Sequence, residues 1–180
     1  LSRLGYGFLA EVGADRTLLL GGYADEVRNG ATVRFNVAML REPGGASWGI
    51  YRKVKLMPFG ERIPGQDAIA SLRGLLPQAV PMSAGERDQP PLRWRARDLD
   101  VCAFVCYESI VPGLVASLAG ERRPDLLVNL TNDSWYGDTW EPHQHLAFAR
   151  FRAIEHRTPM LRATNTGISA LVDATGEVTE

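Results

Sequence analysis

Two cysteines are all the chain has, and they stand four residues apart in VCAFVCYESI, residues 101–110. A cysteine acts as a nucleophile only as its thiolate, so its surroundings decide whether it does chemistry. DLDVCAFVC, 98–106, is apolar at both alternating positions, as a strand covered on both faces is. On such a strand Cys102 and Cys106 share a face about 13 Å apart. A disulfide needs Cα atoms within about 7 Å, so the two do not pair. Cys102, mid-strand among Val101, Ala103 and Phe104, reads as a small buried hydrophobe. Cys106 falls where the strand gives way to a helix. That turn projects a side chain outward, close to unpaired N–H groups that favour a thiolate and can hold an oxyanion. Position alone leaves Cys106 open between a nucleophile and a second structural cysteine.

A nucleophile needs a proton acceptor, and acyl transfer needs donors for the tetrahedral oxyanion. Of the three histidines, His143 and His145 fall in the first turns of a helix expected over 142–157. Residues two apart on a helix face different ways, which argues against a two-histidine metal site. These two and His156 are read as surface or capping residues. The loop YRKVKLMPFGERIP, 51–64, offers more: a strand end, Lys53, and a Pro-Phe-Gly turn ahead of Glu61. An ammonium at a strand end can lower a thiolate's pKa and stabilise an oxyanion. The competing reading is a solvated rim of Arg52, Lys53, Lys55 and Glu61. Trp135, Tyr136 and Trp140 lie within six residues on a glycine-containing loop. Amphipathic aromatics favour membrane interfaces, so this loop is a candidate lipid entrance, with packing into the core as the alternative.

The elements that must position these residues alternate between strand and helix patterns. A chain of 180 residues, 45% apolar, suits one domain with a substantial core. Net charge is −1, and without a basic patch nothing points to nucleic acid. No apolar stretch approaches the ~20 residues of a membrane span. Residues 2–13 and 67–76 are expected as helices, and 16–24, 31–40 and 47–53 as strands. Asn29-Gly30 marks a hairpin between the first two strands. The next strand expected is 98–106, and ESIVPGLVASLAG follows as a helix with Pro112 in its first turn. Residues 125–131 form another buried strand. The 142–157 helix carries Ala147, Phe151 and Ile154 on one apolar face. Strands over 160–164 and 168–174 close a layered α/β protein with a largely covered sheet.

VCYESI, YRKVKLMPFGERIP, NLTNDSWYGDTWEPHQHLAFARFRAIEHRTPMLRATNTG and ISALVDATGEV together resemble the nitrilase, or carbon–nitrogen hydrolase, superfamily. Within it they resemble the extracytoplasmic domain of the apolipoprotein N-acyltransferases. The resemblance implies an α-β-β-α sandwich, here a single partial domain over 1–180, truncated at both ends. It also implies a Glu-Lys-Cys triad in which Cys106 carries an acyl thioester. Lys53 and the Tyr107 N–H would then meet the tetrahedral intermediate. Glu61, Tyr107 and Glu108 match positions needed for activity, Glu61 orienting Lys53 and Glu108 supporting Cys106. Asn36 matches an asparagine beside the site. The triad glutamate and a bundle of membrane helices are expected upstream of Leu1, so the 180 residues alone are expected to turn over little.

The implied partners are a phospholipid acyl donor and the N-terminal diacylglyceryl-cysteine of an apolipoprotein, at a bacterial inner membrane with this domain facing the periplasm. No cofactor or metal is called for. A soluble amidase with a small amide substrate is the rival reading. A binding module that has lost catalysis is a second rival, against which the intact Lys53, Glu61 and Cys106 argue.

Overall fold

The structure, a computed structural model, describes residues 15–44, 48–65, 82–121 and 123–179. The helices expected over 2–13 and 67–76 lie outside the described residues. Strands β1 (Leu18–Arg28) and β2 (Ala31–Arg41) pair antiparallel from Arg28↔Ala31 to Leu18↔Arg41. Asn29 and Gly30 join them with φ of 52° and 76°. Two left-handed residues match the right-handed twist of the flanking strands, which is why an Asn-Gly pair makes this turn. β3 (Gly49–Arg52) adds to β2 and completes a three-stranded sheet.

The second sheet has five strands in sequence order: β4 (Leu92–Trp94), β5 (Leu99–Val105), β6 (Leu126–Thr131), β7 (Met160–Thr164) and β8 (Ala170–Val172). β5, β6 and β7 run parallel, with β4 and β8 antiparallel at the edges. Parallel neighbours need crossovers. Helix α1 (Pro112–Ala119) supplies the first and α2 (Glu141–His156) the second. Three-residue β4 was not anticipated, because LRW is too short to show a period of two.

Alternation along β5 sends its side chains two ways. Val101, Ala103 and Val105 meet Ala38, Leu40 and Tyr51 of the first sheet, with Val128 and Leu130. Cys102 and Phe104 meet Val115, Ala149 and Ala153 on the helices, with Leu127 and Met160. The second sheet is therefore covered on both sides, and sheet, sheet and helix stack as three layers of the expected α-β-β-α sandwich among the described residues. Gly21 of β1 lies against Leu130 of β6, where a Cβ would make an ordinary contact at 3.5 Å.

Two expectations need correcting. The apolar face of α2 is not the buried one: Phe151 is 53% exposed and Ile154 is 42% exposed. His145, Ala149, Arg152 and Ala153 are buried instead. Small alanines let the helix lie close to the sheet, and Phe or Ile at those positions would hold it off. The helix expected from Glu108 to Gly120 is also divided. Residues Cys106–Ile110 form a tight 3-10 turn, and the α-helix starts at Pro112, whose missing N–H costs nothing in the first turn.

Candidate active site

Cys106 is the first residue after β5, and its φ is 50°. A left-handed backbone costs a non-glycine residue roughly 1–2 kcal/mol. Such strain persists only where surrounding contacts over-determine it. Two sets of contacts do so here.

The first is Glu108, fully buried two residues on. Its Oε2 accepts from the Val105 N–H at 2.7 Å, and its Oε1 accepts from the N–H groups of Val54 and Lys55 at 2.8 and 2.9 Å. The Tyr51 hydroxyl donates to both oxygens, at 2.9 and 3.0 Å. Burial raises the Glu108 carboxyl above its ordinary range, opposed by these donors. One carboxylate thus fastens the residue preceding Cys106 to the residue following Lys53. Tyr51 went unremarked in the sequence as part of the site. Its phenol is pushed up by burial and by the neighbouring Glu108 charge.

Lys53 follows β3 and is 1% exposed. Its Nζ donates to Glu61 Oε2 at 2.7 Å. Glu61 also accepts from the Asn36 side-chain amide at 2.8 Å and from the Met57 N–H at 2.8 Å. The Lys53 N–H in turn donates to the Asn36 carbonyl at 2.8 Å. The solvated-rim reading therefore fails for Lys53 and Glu61, an oriented ion pair of a buried lysine and a partly buried glutamate. The turn delivering Glu61 closes on itself: Phe59, at φ 64°, donates to the Arg62 carbonyl, and the Glu61 N–H donates to Met57. Asn36, Lys53 and Glu61 lie together, and Tyr107 and Glu108 directly follow Cys106.

The second set of contacts was missed. His145, read from the sequence as a surface or capping residue, is 3% exposed. Its Nε2 lies 3.2 Å from the Cys106 carbonyl oxygen, and its Nδ1 lies 2.9 Å from Asp133 Oδ1. Asp133 also accepts from Arg162 Nη2 at 2.9 Å and from the Thr131 hydroxyl at 3.0 Å. Arg162 holds Asn129 as well. Burial alone would raise the Asp133 carboxyl. The His145 hydrogen bond and the charges of His145 and Arg162 outweigh it and hold Asp133 below its ordinary value. Burial lowers the Arg162 guanidinium, against the pull of Asp133 and of a Cys106 thiolate.

Gly167, at φ 98°, packs over the cluster, where a Cβ would lie 2.8 Å from Asp133 Oδ2. Asp133, Glu141 and His145 place ligand-type atoms within 4.8 Å of one another. The Asp133 and His145 atoms are already engaged by Arg162, the Cys106 carbonyl and each other, so the group reads as an ion-pair network. The sequence carried no signal of it beyond His145 and Arg162 each falling beside an apolar residue of a helix or strand.

The other site residues lie at the rim. Tyr136 is half-buried, its phenol pushed up to about 12 by burial and by Glu141, Cys106 and Asp133. Trp135 is 69% exposed and Trp140 78% exposed, which removes the core-packing alternative for both. Trp140 faces His143, with ring centroids 5.3 Å apart. Cys102 is buried, and its thiol is raised to about 12 by burial and the Glu108 charge. No helix among the described residues is long and apolar enough to cross a membrane.

Comparison with known proteins points one way. The profile of the family "Carbon-nitrogen hydrolase" matches residues 12–180. An apolipoprotein N-acyltransferase of Bdellovibrio bacteriovorus is 38% identical over 177 residues, covering 91% of this chain and 30% of that protein. Its counterpart in Azotobacter vinelandii is 43% identical over 140 residues, covering 76% of this chain and 26% of that one. The chain thus spans about 30% or less of the length of these two curated relatives. Among solved structures, Saccharomyces cerevisiae Nit3, of the nitrilase superfamily, superposes with a TM-score of 0.63 at 17% identity, over 96% of this chain and 58% of that one. An amidase from Nesterenkonia sp. gives 0.61 at 21% identity, over 96% and 58%. These two establish the shared fold.

Proposed function

Since this chain belongs to the carbon–nitrogen hydrolase family, we propose that it is the acyl-transferring domain of an apolipoprotein N-acyltransferase. Cys106 attacks the ester carbonyl of a phospholipid. A sulfur–carbon bond forms, the ester carbon–oxygen bond breaks, and the lysophospholipid leaves with the thiol proton. The α-amine of a diacylglyceryl-cysteine then attacks the thioester, a nitrogen–carbon bond replaces the sulfur–carbon bond, and the amine's proton restores the thiol. Each half passes through a tetrahedral oxyanion, which the Lys53 ammonium and the Tyr107 N–H stabilise. Glu61 and Asn36 orient Lys53. The proton acceptor is a glutamate ahead of this chain in a membrane-anchored parent, with this domain on the periplasmic side. Trp135, Tyr136 and Trp140 line the path of the acyl chain.

The observation that carries this reading is the single carboxylate of Glu108, holding the backbone beside Lys53 and the backbone beside Cys106. A cation and a thiol kept in fixed relation across two sheets fit acyl transfer through a thioester better than a structural cysteine. The test is intact mass and peptide mapping of the parent polypeptide after incubation with phospholipid and no acceptor. An acyl adduct on the Cys106 peptide, lost in Cys106→Ser and kept in Cys102→Ser, is the expected result. Absence of an adduct, with ammonia released from small amides, would assign the site to amide hydrolysis instead.

A further inference from the structure

A left-handed residue at the head of a tight turn needs something to hold its peptide planes. On the strand side of Cys106, Glu108 holds the peptide plane one residue earlier through the Val105 N–H. The following plane, which carries the Cys106 carbonyl and the Tyr107 N–H, has one side-chain contact among the described residues, His145 Nε2 at 3.2 Å. The Cys106 carbonyl and the Asp133 carboxylate both only accept, so Nε2 and Nδ1 must each carry a hydrogen for the two contacts to be hydrogen bonds.

The His145 ring is itself fixed from three elements. Asp133, in the loop after β6, sits on Nδ1, with Arg162 of β7 clamping the far carboxylate oxygen. Glu141, one turn earlier on α2, lies 3.7 Å from Nδ1. His145, Asp133 and Arg162 are buried, with Glu141 partly exposed beside them, and no step of the acyl transfer uses the group.

We propose that His145 is the positioning residue of the nucleophile, holding Cys106 in its left-handed conformation through the Nε2–H to carbonyl bond and so aiming the Tyr107 N–H at the oxyanion. The proposal rests on Cys106 being the acylated residue, and it adds that the oxyanion donor is set from α2 rather than from the turn itself. Glutamine can supply an N–H at the Nε2 position and leucine cannot. Misplacing a reacting group by about 1 Å costs on the order of 100-fold in rate.

In single-turnover acylation of the parent polypeptide, His145→Leu is therefore expected to lower the rate at saturating donor by about 30- to 100-fold. The donor concentration for half-saturation should change less than about threefold, and His145→Gln should recover most of the rate. In a crystal structure of His145→Leu the Cys106 φ should leave the left-handed region. Wild-type acylation rates in His145→Leu, or an unchanged φ at Cys106, would overturn the proposal. Should the variants not fold, the 15N spectrum of wild-type His145 decides: a protonated Nε2 supports the bond and a bare one overturns it. That spectrum and the φ measurement need no turnover. If Cys106 takes up no acyl group at all, the functional reading falls separately from this one.

Discussion

The Lys53 ammonium lies 2.7 Å from the Glu61 carboxylate, with the lysine 1% exposed and the glutamate 16% exposed. A cation this deep depends on its partner, because removing one member of a buried pair leaves the other charge uncompensated. Glu61→Gln should cost about 3 kcal/mol of stability. Lys53→Met should cost less, because Glu61 keeps the Asn36 amide and the Met57 N–H. Both should abolish most acyl transfer. Urea denaturation of the two variants checks the order, and a Lys53→Met variant less stable than Glu61→Gln would contradict it.

Asp133 predicts an acid-side dependence of stability. Its carboxyl is held below the ordinary 3.8 by His145 and Arg162 against burial. Near pH 3.8 the unfolded chain therefore binds more protons at this group than the folded one. The contribution to stability is complete above that value and lost as pH falls through the depressed folded one. Denaturation midpoints of wild type should drop more steeply than those of Asp133→Asn below pH 4. Parallel curves would remove Asp133 as the source.

The two thiols should differ sharply toward iodoacetamide. Cys102 is buried with its thiol raised to about 12, so at pH 8 roughly one molecule in 10,000 carries the thiolate. Labelling followed by peptide mapping should find the label on Cys106 more than about 100-fold faster. Cys102 should react only once the chain is unfolded in denaturant. Comparable native rates for both would mean that β5 opens readily.

Trp135 and Trp140 are exposed, so replacing both with alanine should change stability by less than about 0.5 kcal/mol at each site. Acylation from phospholipid in vesicles should slow, while acylation from a short-chain soluble ester should not. Equal losses with both donors would end the lipid-entrance reading and leave the pair a role in the site itself.

Local pattern was enough for every described strand but β4. β5 reads as doubly covered because all seven residues from Leu99 to Val105 but Asp100 are apolar, and Asn29-Gly30 names its own turn. Lys53, Glu61, Cys106 and Glu108 stand at element ends where a motif can be recognised. The face of α2 could not be chosen this way: a helical period links Ala147, Phe151 and Ile154 as readily as His145, Ala149, Arg152 and Ala153. Only the closeness of the sheet selects the alanines. Tyr51 likewise becomes part of the site only when β3 packs opposite β5.

What the sequence by itself determined was the order of the strands other than β4 and of the two described helices, Cys102 as a buried hydrophobe, and the family of motifs. The tertiary structure alone decided that His145 is buried. A charged or polar side chain is read as exposed until its partners are known. Its partners Asp133 and the Cys106 carbonyl come from a loop and a turn 12 and 39 residues away, and Arg162, which holds Asp133, comes from a strand 17 residues on. Desolvating such a group is affordable only where those acceptors and charges converge, and convergence is a property of the folded chain.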